Sequence, residues 1–124
     1  MISLEQRRAD ASTHINMDPI QIEIVRSEKK RNDGGGLSTV STTLPAQTVR
    51  IYLLGTPQKT VVIGGKAIEA DYIMLAPWDA DVKATSNISD SFKCSVGNFS
   101  IEGIIPTFAE GQIASYQCYL KKVE

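Results

Sequence analysis

Four aspartates, Asp71, Asp79, Asp81 and Asp90, come closest to a ligand set in this chain, since carboxylates gathered on one loop can hold a hard cation. They lack the DxDxDG spacing and the closing glutamate of a calcium loop, and they read as carboxylates that cap turns. His14 is the single histidine; a general base needs an oriented partner, and no serine or cysteine nucleophile motif lies beside it. It reads as a residue at or near a helix end. Cys94 and Cys118 fit neither a CxxC redox pair nor zinc-ligand spacing, so reduced, buried thiols are expected. Gly34, Gly35 and Gly36 invite comparison with a phosphate-binding loop. The GxxxxGK pattern with its following Ser or Thr is missing, however, and the next residues are β-prone, which makes the glycines a hinge. These residues lead us to expect no catalytic centre, no metal and no cofactor.

The basic cluster Arg26, Lys29, Lys30 and Arg31 reads first as a solvated rim, with phosphate groups or an acidic partner as the functional reading. A formal net charge of -1 gives no bulk attraction to nucleic acid, so any DNA contact must be local. The sparse aromatics Tyr52, Tyr72, Phe99, Tyr116 and Tyr119 fall within strand patterns and suit a sheet face or core better than a base-stacking platform.

Within a helical N-terminal segment over residues 1–17, Ser3 to about His14 patterns as a short helix with Ser3 as N-cap, broken by Asp18 and Pro19. Its apolar face, Ile2, Leu4, Ala11 and Ile15, is thin and needs a second surface, from the domain or from a partner. The period then changes to two. Ile20, Ile22 and Ile24 alternate with Gln21, Glu23 and Val25, and after a long connection Val49, Ile51 and Leu53 do the same; these two runs are expected to pair. Gly55 to Pro57 end that strand, and Gly64 with Gly65 mark a tight turn between Val61–Ile63 and Ala67–Ile68. Asp71–Pro77 is apolar on both faces, as befits a strand near the middle of a sheet, and Trp78–Asp81 reads as a turn. Phe99, Ile101 and Ile104 or Ile105 form a strand, Pro106–Gly111 a turn, and Ile113–Leu120 the last strand.

The most unusual stretch is residues 28–46, a polar Gly/Ser/Thr-rich connection of a length that is uncommon in compact domains unless it is functional or disordered. It has a basic root, a glycine hinge and a β-prone run from Leu37 to Thr43. The hydrophobic share of 42% and the charged share of 22% are ordinary for a globular domain, and no apolar run approaches the roughly 20 residues of a membrane crossing. Residues 1–18 carry charges where a signal peptide needs an apolar core, so the chain is expected to be assembled in a host cytoplasm. The expected architecture is mainly β: one domain over 1–124, a small β-barrel with an N-terminal α-helix and a long mobile loop between the first two strands.

Four segments, IQIEIVR (Ile20–Arg26) after a helix, QTVRIYLL (Gln47–Leu54), ADYIMLAPWDADV (Ala70–Val82) and the tail FSIEGIIPTFAEGQIASYQCYLKKVE, carry a resemblance across most of the chain. In this order, and with the long loop between the first two strands, the chain resembles the head-closure, or stopper, proteins of long-tailed bacteriophages. The resemblance implies a structural virion protein of the head-tail interface, a homo-oligomeric and typically dodecameric ring below the portal and adaptor. Such a ring would close the DNA channel after packaging and offer its lower face to a tail protein. By position, the channel loop would comprise Glu28, Lys29, Lys30, Arg31, Asn32, Asp33, Gly34, Gly35, Gly36, Leu37, Ser38, Thr39, Val40, Ser41, Thr42 and Thr43, near the packaged DNA. Leu4, Arg7, Arg8 and Ala11 are expected at the contact to a neighbouring subunit or the adaptor ring. Two other readings stay open. One is a tail-terminator or tail-completion protein, and the other a small OB-like or SH3-like barrel binding nucleic acid through the Arg26–Arg31 root.

Overall fold

The computed structural model describes residues 3–31, 34–53, 59–63, 66–85, 87–95 and 97–123. The expected turn at Gly64 and Gly65, the strand end at Gly55 to Pro57, and Ile2, Asn32 and Asp33 lie outside the described residues. The chain is mainly β with one N-terminal helix. In order, it forms α1 (Leu4–Met17), β1 (Ile20–Ile22), β2 (Val25–Arg31), β3 (Leu37–Thr43), β4 (Gln47–Leu53), β5 (Lys59–Ile63), β6 (Lys66–Ala70), β7 (Tyr72–Pro77), β8 (Ile88–Cys94), β9 (Gly97–Ala109) and β10 (Gln112–Val123).

An eight-stranded antiparallel sheet in the order β1-β4-β7-β10-β9-β8-β2-β3 curls into a half-barrel, and β5 and β6 pair separately. Its closure follows from one stretch of chain. β1 and β2 stand near opposite ends of the strand order, yet only Glu23 and Ile24 separate them in sequence. The alternating run from Ile20 therefore bends at Glu23–Ile24, pairs first with β4 (Ile20↔Val49) and then with β8 (Val25↔Ser91), and draws the two ends of the sheet together. Ile22, just before the bend, and Ile24, within it, belong to the same core as Val49, Met74, Ala76, Phe92, Phe99, Ile101, Cys118 and Leu120. Phe99 lies at its centre, edge-on to Tyr72 at 4.9 Å and 5.7 Å from Phe92. Such aromatic pairs add about 0.5–1.5 kcal/mol each to what burial supplies.

The pairing of the two alternating runs through β1 and β4, and the placing of Asp71–Pro77 between β4 and β10, agree with the sequence reading. Two expectations change. Pro106 sits inside β9, opposite Tyr116, and the turn contracts to Glu110–Gly111, both with positive φ (53° and 76°). Ala109 and Gln112 pair on either side, so two left-handed residues make the connection that matches the twist of a two-residue hairpin. The strand β8 was not anticipated.

The helix is capped as expected, with the Ser3 hydroxyl accepting from the Gln6 amide at 3.1 Å and the Asp18 amide donating to the Ile15 carbonyl. Its thin apolar face is met by the chain's own sheet, for α1 packs across β10, β7 and β4 and buries Leu4 and Ile15. Two arginines complete the docking. Arg8 donates Nε and Nη2 to the Ile113 carbonyl (3.1 and 3.0 Å), just before a bulge in β10, and lies 3.9 Å over the Trp78 ring. From the sheet, Arg50 Nη1 donates to the His14 carbonyl at the other end of the helix, at 3.0 Å.

Candidate functional site

The long connection is built as a β-hairpin. β2 and β3 pair over seven positions, from Val25↔Thr43 to Arg31↔Leu37, so the expected loop residues Glu28–Arg31 and Leu37–Thr43 are strand. The physical reason is legible locally, because Leu37–Thr43 is made of β-branched and hydroxyl residues that favour extended backbone over a free coil. Gly35, at φ +82°, supplies the left-handed residue at the tip.

Support for the hairpin is uneven along its length. Near the root, Val25–Glu28 of β2 also pairs with Ser91–Ile88 of β8, and the Lys29 amide donates to the Asn87 carbonyl at 2.9 Å. Beyond Lys29, β2 has β3 as its only strand neighbour among the described residues. All seven residues of β3 are exposed, including Leu37 and Val40, and the outer edge of β3 meets no other strand among the described residues. Lys29, Lys30 and Arg31 are exposed on this outer part, opposite Thr39, Ser38 and Leu37. The projecting arm is thus basic on one strand, hydroxyl-rich on the other and open at its edge.

Arg26 departs from the sequence reading. It is not part of the solvated rim: it points inward in phase with Ile22 and Ile24 and is 7% exposed. Its Nε and Nη2 donate to Oδ1 and Oδ2 of the fully buried Asp90 (2.8 and 2.9 Å), and Nη2 also lies 2.9 Å from Asp81 Oδ1. The hydrogen bonds to Asp90 hold the guanidinium proton more firmly than usual, and the opposing effect of burial does not cancel them. Asp90 Oδ2 further accepts from the Lys83 amide at 2.7 Å, while Gln47 and the Asp81 backbone exchange hydrogen bonds of 2.8 and 3.1 Å. The segment after Trp78 is thereby tied to the hairpin root. Asp81 and Asp90 serve an ion pair, and no group of three or more potential metal-ligating side chains occurs among the described residues.

The expected helix contact set is divided by the fold. Leu4 is buried and Arg8 is engaged with Ile113 and Trp78, so these two hold the helix to its own sheet. Arg7 and Ala11, with His14, line a groove between α1 and the sheet. Cys118 is a buried free thiol, pushed up to about 12 chiefly by burial and further by the Asp90 charge; Cys94 is free and half-buried. Sequence reasoning took Asp90 for a turn-capping carboxylate and missed β8, whose inward face carries it. Ile88, Asp90, Phe92 and Cys94 do alternate, but an aspartate at an inward position disguises the period. No protein-family model matches the chain, and no curated protein sequence does.

Proposed function

We propose that this chain is a structural virion protein of the phage neck, docking below the portal and adaptor as a subunit of a ring, closing the DNA channel after packaging and presenting a surface to the tail. The observation that carries the reading is the β2–β3 arm, anchored at its root by Arg26–Asp90 and open along the whole of β3. An exposed edge strand of this kind is a template for another strand, and the ordinary safeguards of an inward charge or a proline are absent from Leu37–Thr43. In a ring, arms converging on the axis satisfy one another's amides, and Lys29, Lys30 and Arg31 then face the packaged phosphates. The rigid root and the edge available for pairing suit a plug better than a catalyst.

The basic outer strand favours one other reading, a small nucleic-acid-binding barrel. It requires affinity for DNA by the isolated chain, with a steep loss as salt rises. Electron microscopy of particles made when this reading frame is silenced in its phage decides among the possibilities. Leaking or DNA-free heads apart from finished tails support head closure. DNA-filled heads with abnormal tails move the protein to tail completion, and normal virions overturn the assembly reading.

A further inference from the structure

The groove between α1 and the sheet has a volume of about 550 Å³, within the range of roughly 300–1,000 Å³ typical of ligand sites. Its charged lining is net positive, Arg7 on the helix and Arg50 on β4 against the carboxylate of Asp10, which accepts from Gln6 Nε2 at 2.8 Å; His14 lines it as well. The Arg7 guanidinium is exposed and has no hydrogen-bonding or ionic partner among the described residues. The floor is different in kind, with Ala11, Leu75 and the buried Ala114 side by side with the Thr107–Ser115 hydroxyl pair, whose oxygens are 2.6 Å apart.

We propose that this groove is a docking site for an acidic peptide segment of a protein partner, its carboxylates on Arg7 and Arg50 and an apolar side chain on the Ala11–Leu75–Ala114 floor. Guanidinium forks match carboxylates two bonds at a time, and one fork on each wall sets the direction of the segment across the groove. The apolar floor distinguishes a peptide from a bare phosphate, which has nothing to place there. A nucleotide base is disfavoured because the aromatic ring in the groove, Tyr52, already has the Arg50 guanidinium 5.8 Å from its centroid. The proposal rests on the assembly reading only in expecting a protein partner, and it concerns a face of the molecule other than the arm.

The test uses the full chain and a fluorescein-labelled eight-residue peptide of alternating Asp and Leu, read by anisotropy, with the Asn-for-Asp peptide, tripolyphosphate and a short single-stranded DNA as competitors. Binding of the acidic peptide is expected, weakened about tenfold or more by Arg7→Glu and by Ala11→Glu and less than about twofold by Lys121→Glu. Arg7 is exposed, so circular dichroism of Arg7→Glu should match the parent chain. The proposal is overturned by absent binding, by equal binding of the Asn peptide, by equal weakening in Lys121→Glu, or by displacement with tripolyphosphate or DNA at the same concentration as unlabelled peptide. None of those results touches the silencing experiment, and normal virions in that experiment would leave peptide binding to the groove standing.

Discussion

Arg26 and Asp90 are direct cross-strand partners in the β2–β8 ladder, joined by two hydrogen bonds of 2.8 and 2.9 Å inside the barrel. Their pairing fixes where the arm leaves the body, since the next inward position of β2, Glu28, is already half-exposed. A one-residue slip of β2 would turn Arg26 outward and strand Asp90 without its cation. The pair therefore specifies register as well as holding the root.

Removing one partner leaves a buried charge uncompensated. Arg26→Met should cost about 3–5 kcal/mol in denaturant unfolding, whereas Arg26→Met combined with Asp90→Leu should recover most of the loss, because two apolar side chains need no partner. A double variant no more stable than the single one would place the main role elsewhere, in the Lys83 amide that Asp90 also receives.

The buried Cys118 thiol gives a pH signature. Its proton is held to about 12 in the folded chain against an ordinary 9.0, so the folded state binds the proton more tightly than the unfolded one. That contribution is complete below pH 9 and is lost as pH rises from there toward 12. At pH 10 the loss is on the order of 1 kcal/mol. Unfolding measured from pH 8 to 10.5 should fall more steeply for the parent chain than for Cys118→Ala, and parallel curves would contradict the assignment.

Glu110 occupies the left-handed region at φ 53°, where a side chain such as glutamate is disfavoured. Asparagine tolerates that conformation and suits the residue before Gly111 in a two-residue hairpin. Glu110→Asn should raise stability by about 0.5–1 kcal/mol, seen as a higher Tm without other change.

Arg8 docks the helix alongside the buried Leu4 and Ile15. Arg8→Ala removes both bonds to Ile113 and the stack on Trp78, and should cost about 1–3 kcal/mol. Trp78 is the single tryptophan, so its fluorescence reports the change directly. Arg8→Lys, which keeps the charge but loses the fork, should fall between.

Register dictates how the arm is shortened. Glu28 and Val40 are paired, and β8 reaches β2 only as far as Glu28. Replacing Lys29–Thr39 by Asn-Gly therefore keeps every β2–β8 pair, and the shortened chain should unfold within about 1 kcal/mol of the parent because the removed strand residues are exposed. Under the proposed neck role, particles carrying the shortened chain should lose DNA from their heads. A collapse of stability would mean that the arm belongs to the core.

Local physics was enough for much of this protein. Ser3, followed by a stretch with few β-branched residues and closed by Asp18 and Pro19, specifies α1, alternation marks β1 and β4, and a run apolar on both faces marks β7, because each of these is a short-range pattern of propensity and period. The arm was partly legible too: Leu37–Thr43 has the residue types of a strand, but a strand forms only against a neighbour, and nothing adjacent in sequence names β2 as that neighbour. The period of two that places Ile20, Ile22 and Ile24 inward also places Arg26 there, and a charge at that position is intelligible only once Asp90, 64 residues away, stands opposite. Likewise, the weak apolar face of α1 was visible from its residues, while its remedy, Arg8 on the Ile113 carbonyl and Arg50 on that of His14, belongs to tertiary structure. Sequence alone determined the helix, the strands β1, β4 and β7 and most of the last strand, and which of their side chains want burial. Only the fold decided which charges are buried and what faces the groove, because those depend on contacts between residues whose separation along the chain carries no periodic trace.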